Sequence, residues 1–155
     1  MSAAVSFRCA EWEDVDQLLE MMRSLYEHDG VRFDEAKSRK ATNVLVSSMD
    51  SAITDLGRIW LIESNGEVAG YVVLTFGFSI EYGGSHGFID ELFVRPEFRG
   101  QGLGGAAVEH ASSMCRSLGM KVILLEVAFE NPRAHALYER IGFREHGRRL
   151  MSREF

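Results

Sequence analysis

Four glycines, a cation and the onset of an apolar repeat meet in Arg99-Gly100-Gln101-Gly102-Leu103-Gly104-Gly105. Leu103, Ala107, Ala111, Met114 and Leu118 then recur at helical spacing, which puts the glycines at a helix start. Amide N–H groups lack carbonyl partners there, the helix dipole favours negative charge, and glycine lets a ligand approach the backbone closely. The chemistry on offer is anion binding, with a pyrophosphate as the natural occupant. The same glycines would also serve as nothing more than a tight connection. Gly100, Gly102 and Gly105 satisfy G-x-G-x-x-G as well, with Glu126 near the end of the next strand, and so imitate a dinucleotide fingerprint. Against a nicotinamide cofactor stand the Pro96-containing loop between Val94 and the glycines and a remaining sequence too short for the rest of a doubly wound sheet.

Other elements must position this turn. Ala4 to Cys9 suits a first strand. Asp14 can cap a helix with Val15, Leu18, Leu19, Met22, Leu25 and Tyr26 on one side, and Asp34 a second whose Ala41, Val44, Leu45 and Met49 share a face. Gly57 closes this region. Ile59–Glu63 and Glu67–Phe76 read as strands joined at Ser64-Asn65-Gly66, whose Asn-Gly pair favours a tight hairpin. Gly87–Val94, with Phe88, Ile89, Leu92, Phe93 and Val94, reads as a strand covered on both faces. After the glycine turn and its helix, which Gly119 ends, Lys121–Val127 is a dense aliphatic strand, and Asn131-Pro132 begins a helix that Gly142 and Phe143 terminate. Arg144 to Arg153 has room for one or two closing strands. The pattern is an α/β (α+β) layer structure in one domain spanning 1–155, mostly antiparallel in its first half, with a crossover at the glycine turn.

The 155 residues are 46% hydrophobic and 26% charged, the composition of an ordinary globular domain. The net charge of -6 disfavours a nucleic-acid partner, which needs clustered Lys and Arg, and leans slightly toward a cationic one. Cys9 and Cys115 lie far apart without metal-ligand spacing, so no metal site is expected and both read as reduced, mostly buried thiols. The N-terminus has no apolar signal core, and the longest apolar stretch, Val68 to Phe78, is broken by Gly70 and Gly77. No membrane partner is expected, and the expected location is cytoplasmic.

The segment Phe93-Val94-Arg95-Pro96-Glu97-Phe98-Arg99-Gly100-Gln101-Gly102-Leu103-Gly104, with its core Arg99-x-x-Gly102-x-Gly104, resembles the acetyl-coenzyme A motif of the GNAT superfamily of N-acetyltransferases. The run Asn131-Pro132-Arg133-Ala134-His135-Ala136-Leu137-Tyr138 followed by Ile141-Gly142-Phe143 resembles the second family motif, and Phe7-Arg8-Cys9-Ala10 with the acidic helix start fits the opening. The resemblance implies a single six- or seven-stranded, mostly antiparallel mixed sheet flanked by about four helices and splayed between its central strands. It implies acetyl-coenzyme A as co-substrate and an amine as acceptor. A β-bulge in Gly87–Val94 and a splay from Lys121–Val127 would leave unpaired edge groups, so that the backbone of Leu92, Phe93 and Val94 would hold the pantetheine arm, the amides of Gly100, Gln101, Gly102, Leu103, Gly104 and Gly105 the pyrophosphate, and Asn131, Ala134 and Tyr138 would touch the cofactor. Arg99 would either add charge or brace the loop. A homodimer exchanging Gly147 to Phe155 is compatible with the family.

Acetyl transfer from a thioester needs a deprotonated amine, a site for the oxyanion and a proton for the leaving thiolate. With an amine pKa near ~10.4, deprotonation at neutral pH costs about 4–5 kcal/mol, so a carboxylate base is worthwhile. Asp90 and Glu91 are the candidates. Regular strand alternation sends them to opposite faces, and Asp90 is preferred because similar acidic residues precede the cofactor strand in spermidine/spermine acetyltransferases. Glu91 has the alternative of an ion-paired or surface role. The resemblance makes Tyr138 the general acid and the Val94 amide the oxyanion donor, whereas spacing alone makes Tyr138 a core aromatic. His28, His86, His110, His135 and His146 have no nucleophile partner and read as structural or exposed. Tyr26, Asp29, Phe33, Phe76, Glu81 and Tyr82 lie in the segments that line the acceptor pocket in the family, and suit a cationic amine or a lysine side chain. A non-catalytic acyl-coenzyme A sensor would keep Arg99, Gly102 and Gly104 without needing Tyr138 or the strand carboxylates.

Overall fold

The computed structural model describes residues 4–48 and 55–155, so the Met49 assigned to a helix face lies outside the described residues. Five strands, β1 (Val5–Cys9), β2 (Gly57–Ser64), β3 (Glu67–Ser79), β4 (Gly84–Val94) and β5 (Ile123–Leu125), form one sheet in sequence order. The first three pairings are antiparallel and β4–β5 is parallel. Helices α1 (Val15–His28), α2 (Glu35–Ser48), α3 (Leu103–Ser117) and α4 (Pro132–Arg140) flank it.

The sheet is covered on both faces, which is why β2 and β3 carry almost unbroken apolar runs. On one face Leu18, Leu19 and Met22 of α1 and Val46 of α2 meet Ile59, Leu61, Tyr71, Val73 and Phe93. On the other, Leu103, Ala107, Val108 and Ala111 of α3 meet Trp60, Ile62, Val72, Leu74 and Ile89. The α2 face is rotated from its expected setting: Thr42 and Val46 are buried while Ala41 and Val44 face solvent. Leu118, placed on the α3 stripe by spacing, is exposed because it already belongs to the helix cap.

Local signals explain most boundaries. Asn65 (φ 51°) and Gly66 (φ 84°) both take the left-handed conformations that a two-residue hairpin requires. Asp34 caps α2 by accepting from the Lys37 amide at 3.0 Å. Asp14 does not cap α1. Its carboxylate accepts the Glu11 amide at 2.8 Å and two bonds from the Arg8 guanidinium at 2.8 and 2.9 Å, and so fastens β1 to the helix start. Gly142 ends α4 with the paired bonds of a Schellman cap, its amide to Glu139 (3.1 Å) and that of Phe143 to Tyr138 (2.9 Å). Gly57 begins β2 rather than closing the preceding region, and Cys9 is exposed while Cys115 is buried.

The sheet has five strands among the described residues, not six or seven. Residues 144–155 form none: Leu150 and Met151 are adjacent rather than alternating, Gly147 has φ 66°, and four arginines keep the segment in solvent. It is tethered instead, Arg148 pairing both ways with Glu81 at 2.8 and 2.9 Å and His146 meeting the Tyr82 hydroxyl at 3.4 Å. Nor does β5 reach its expected length from Lys121 to Val127, because its partner β4 turns away after Ile89. Among the described residues no helix is long and apolar enough to cross a membrane.

Gly70 faces Val94, and a Cβ on it would overlap the Phe93 carbonyl oxygen. Gly70→Ala is expected to cost about 1–3 kcal/mol by forcing β3 and β4 apart, read as a lower urea midpoint at unchanged slope. A midpoint equal to that of the unsubstituted protein would show that the pairing is looser than described.

Candidate active site

Beside β4 the chain departs from regular strand geometry. In the β3–β4 register Val73 faces Glu91 and Leu74 faces Ile89, which leaves Asp90 as an extra residue with no partner. This is a β-bulge, and it twists the strand that carries it. β5 pairs only with Gly87, Phe88 and Ile89, so among the described residues one edge of Asp90–Val94 has no strand beside it. The sheet therefore parts where the bulge begins.

The bulge also changes which way side chains point. Ile89 and Leu92, three apart, both belong to the α3 side, and Phe93 to the α1 side. Glu91 is thereby turned toward α1, where the Tyr26 hydroxyl donates to its Oε1 and the Tyr71 hydroxyl to its Oε2, both at 2.8 Å. The charge of the adjacent Asp90 acts on Glu91, Tyr26 and Tyr71 alike. Among the described residues neither Asp90 nor Glu91 has an ion-pair partner.

Burial pushes Glu91 above the usual carboxylate range; the two phenols pull it back in part, and the charges of Asp90 and Asp29 add to the rise. Partial burial raises Asp90 as well, although the residue as a whole stays exposed. Burial raises the Tyr26 and Tyr71 phenols far enough that both remain proton donors across any working pH. Tyr138, half-buried on α4 with its ring 5.9 Å from that of Phe143, is raised by burial and then by Asp29. Asp29 thus acts on both Glu91 and Tyr138, and the candidate base and acid share one electrostatic neighbourhood.

Past β4 the chain makes a short 3-10 turn, Pro96–Phe98, and enters α3 through Gly100 and Gly102, each at φ 80° with open space where a side chain would stand. The amides of Leu103, Gly104 and Gly105 open the helix and have no carbonyl four residues back within it. Gly104 and Gly105 also lie under the Leu137 side chain, which lets α4 pack against the start of α3. Gln101 is exposed and Leu103 buried. Of the two uses for Arg99, bracing is what the structure displays: its Nε donates to the Val94 carbonyl at 2.9 Å and its guanidinium lies 5.9 Å from the Phe93 ring centre. Asn131 caps α4 by accepting from the Ala134 amide at 3.1 Å.

Tyr71 is not among the residues that the sequence singles out, and the alternation that separates Asp90 from Glu91 holds for a regular strand, which the bulge interrupts. A lone phenol in Ala69-Gly70-Tyr71-Val72-Val73 needs a buried hydrogen-bond partner, and that requirement was the available signal. Of the acceptor-side residues, Tyr26 meets Phe33 edge-on at 5.5 Å, whereas Glu81 and Tyr82 are engaged by the C-terminal segment. His110 stacks on Phe7 at 4.3 Å, in keeping with a structural role.

Comparison with known proteins shows the family and the fold. Residues 16–143 match the Acetyltransferase (GNAT) family. An uncharacterized N-acetyltransferase of Methanocaldococcus jannaschii is 40% identical over 57 residues, 37% of this chain and 25% of that protein. The chain spans between a quarter and about three fifths of the first curated relatives it matches. An integron cassette protein from the mobile metagenome of Cole Harbour Salt Marsh is 39% identical, with a TM-score of 0.80 over 96% of this chain and 89% of its own. The aminoglycoside N-acetyltransferase AAC(6')-Iy in complex with CoA shares the fold at a TM-score of 0.81, 13% identity and 99% and 97% coverage. A dinucleotide reading of the glycines falls with the sheet, which among the described residues has one parallel pair where a doubly wound fold needs many. With a family match across most of its length and the fold to go with it, the chain belongs to the GNAT family of acetyltransferases.

Proposed function

We propose that this chain acts as a single N-acetyltransferase domain, residues 1–155, moving the acetyl group of acetyl-coenzyme A to a primary amine by direct attack. The observation that carries this is the unpaired edge of Asp90–Val94 leading into the glycine-lined start of α3. Apart from the Val94 carbonyl, which accepts from Arg99, the open edge of Leu92, Phe93 and Val94 is suited to hydrogen-bond an extended amide-bearing arm as an added strand would. The amides of Gly100 through Gly105, at the positive end of a 15-residue helix, suit a pyrophosphate. Asn131, Ala134 and Tyr138 border the same arm from α4.

The chemistry follows from the charges. A thioester activates its own carbonyl, so the chain has to deprotonate the amine, stabilise the oxyanion and protonate the thiolate. Glu91, raised above the usual carboxylate range by burial and with no ion-pair partner among the described residues, is suited to take the amine proton directly or through water, and Asp90 adds the negative charge that draws a cationic amine to it. The Val94 amide is the oxyanion donor. Tyr138 stays protonated and so has a proton to give as the sulfur departs. Asp29, Asp90, Glu91 and the Tyr26–Phe33 pair favour a small cationic amine or a lysine side chain, by charge and by ring contact. The site of action is the cytoplasm, where unpaired thiols such as the exposed Cys9 stay reduced.

Thiol release from acetyl-coenzyme A with spermidine, kanamycin, free amino acids and a lysine peptide tests this directly. Release with one class is expected, with kcat lowered about a hundredfold in Tyr138→Phe and KM for the amine raised in Asp90→Asn. Tight coenzyme binding without release to any of these would favour an acyl-coenzyme A-binding regulator instead.

A further inference from the structure

We propose that Tyr26 and Tyr71 are positioning residues that hold the Glu91 carboxylate in register as the base of the transfer, a role that rests on the acetyl-transfer reading above. The two phenols reach Glu91 from different elements, Tyr26 from the last turns of α1 and Tyr71 from β3, and each takes one oxygen at 2.8 Å. Two contacts from independent anchors fix both the place and the plane of a carboxylate. Tyr71 is fully buried, so its hydroxyl has no water to turn to. Each carboxylate oxygen keeps a further lone pair, and the clamp leaves Glu91 able to accept a proton.

The choice of donor matters as much as the geometry. A guanidinium would orient a carboxylate equally well and would destroy its basicity. The chain contains that case: Asp14, held two ways by Arg8, lies below the usual carboxylate range. Glu91 is held two ways by neutral hydroxyls and lies above it. The charged and titratable groups that act on it are the two phenols, Asp90 on its own strand and Asp29 beyond α1, none of them a cation. A phenol clamp orients the base while leaving burial free to raise its proton affinity.

The test is the pH profile of kcat/KM in thiol release, with spermidine, kanamycin or the lysine peptide, whichever turns over fastest, for the unsubstituted protein and for Tyr26→Phe, Tyr71→Phe and Glu91→Gln. Each phenol lowers the Glu91 pKa, so removing one raises it; the acid limb should move to higher pH by about one unit, a roughly tenfold loss of rate on the limb with recovery above it. Glu91→Gln should lose the limb and most of the rate. A limb abolished in Glu91→Gln but unmoved in both phenylalanine variants, with rates reduced evenly at every pH, overturns the clamp alone. A limb that survives Glu91→Gln removes Glu91 as base and the clamp with it, whereas no release by the unsubstituted protein overturns the acetyl-transfer reading on which both rest. Should Tyr71→Phe fail to fold, Tyr26→Phe, half-exposed on α1, carries the same comparison.

Discussion

β4 is held to β3 along its whole length but to β5 only over Gly87, Phe88 and Ile89, and the single unpartnered residue Asp90 marks the change. A regular strand at this place would have paired on both sides, sealed the sheet and sent Asp90 and Glu91 to opposite faces. One extra residue does three things at once. It twists β4 away from β5, leaves the backbone of the next residues unpaired along one edge, and turns Glu91 toward α1. The cost is a broken ladder in the middle of a sheet, and the cores on both faces offset it: Tyr71, Val72 and Leu74 of β3 are fully buried.

The electrostatics follow from that turn. A carboxylate moved from a strand edge into the layer beneath α1 loses water, and Glu91 regains hydrogen bonds without gaining a counter-ion. Such a group strains the fold where it is ionised, in the way that working groups commonly do. Because its folded pKa is raised, its contribution to stability is complete below the unfolded value near ~4.5 and falls as pH rises through the folded value. Asp14 has the opposite sign: its lowered pKa adds stability above the unfolded value that is lost as pH falls through the folded one. The two carboxylates thus respond to pH in opposite senses.

Much of this was legible in the residues. Asn65-Gly66, Asn131-Pro132 and Gly142-Phe143 announce their turns and caps through conformations that few other residues accept. Apolar spacing set α1 and α3 because amphipathic helices must bury one face. The glycine turn pointed to an anion site through its backbone alone. What spacing alone could not reach is pairwise: a bulge depends on register between two strands, and it was the family resemblance, not the apolar pattern of Ile89 to Val94, that implied one. The Tyr71–Glu91 bond spans 20 residues and the Tyr26–Glu91 bond 65, so neither leaves a local trace. The closing strands expected in 144–155 failed for a local reason, since arginines and a left-handed Gly147 outweighed a weak apolar pattern.

The claim that everything else depends on is that the parted edge of β4 and the α3 start form one continuous groove for coenzyme A. Amide hydrogen exchange with and without coenzyme A reads it residue by residue. The account predicts slowed exchange at Leu92, Phe93 and Val94 together with Gly100 through Gly105, and little change in β1 and β2. Coenzyme binding that leaves those amides exchanging as before, with protection elsewhere, would contradict it.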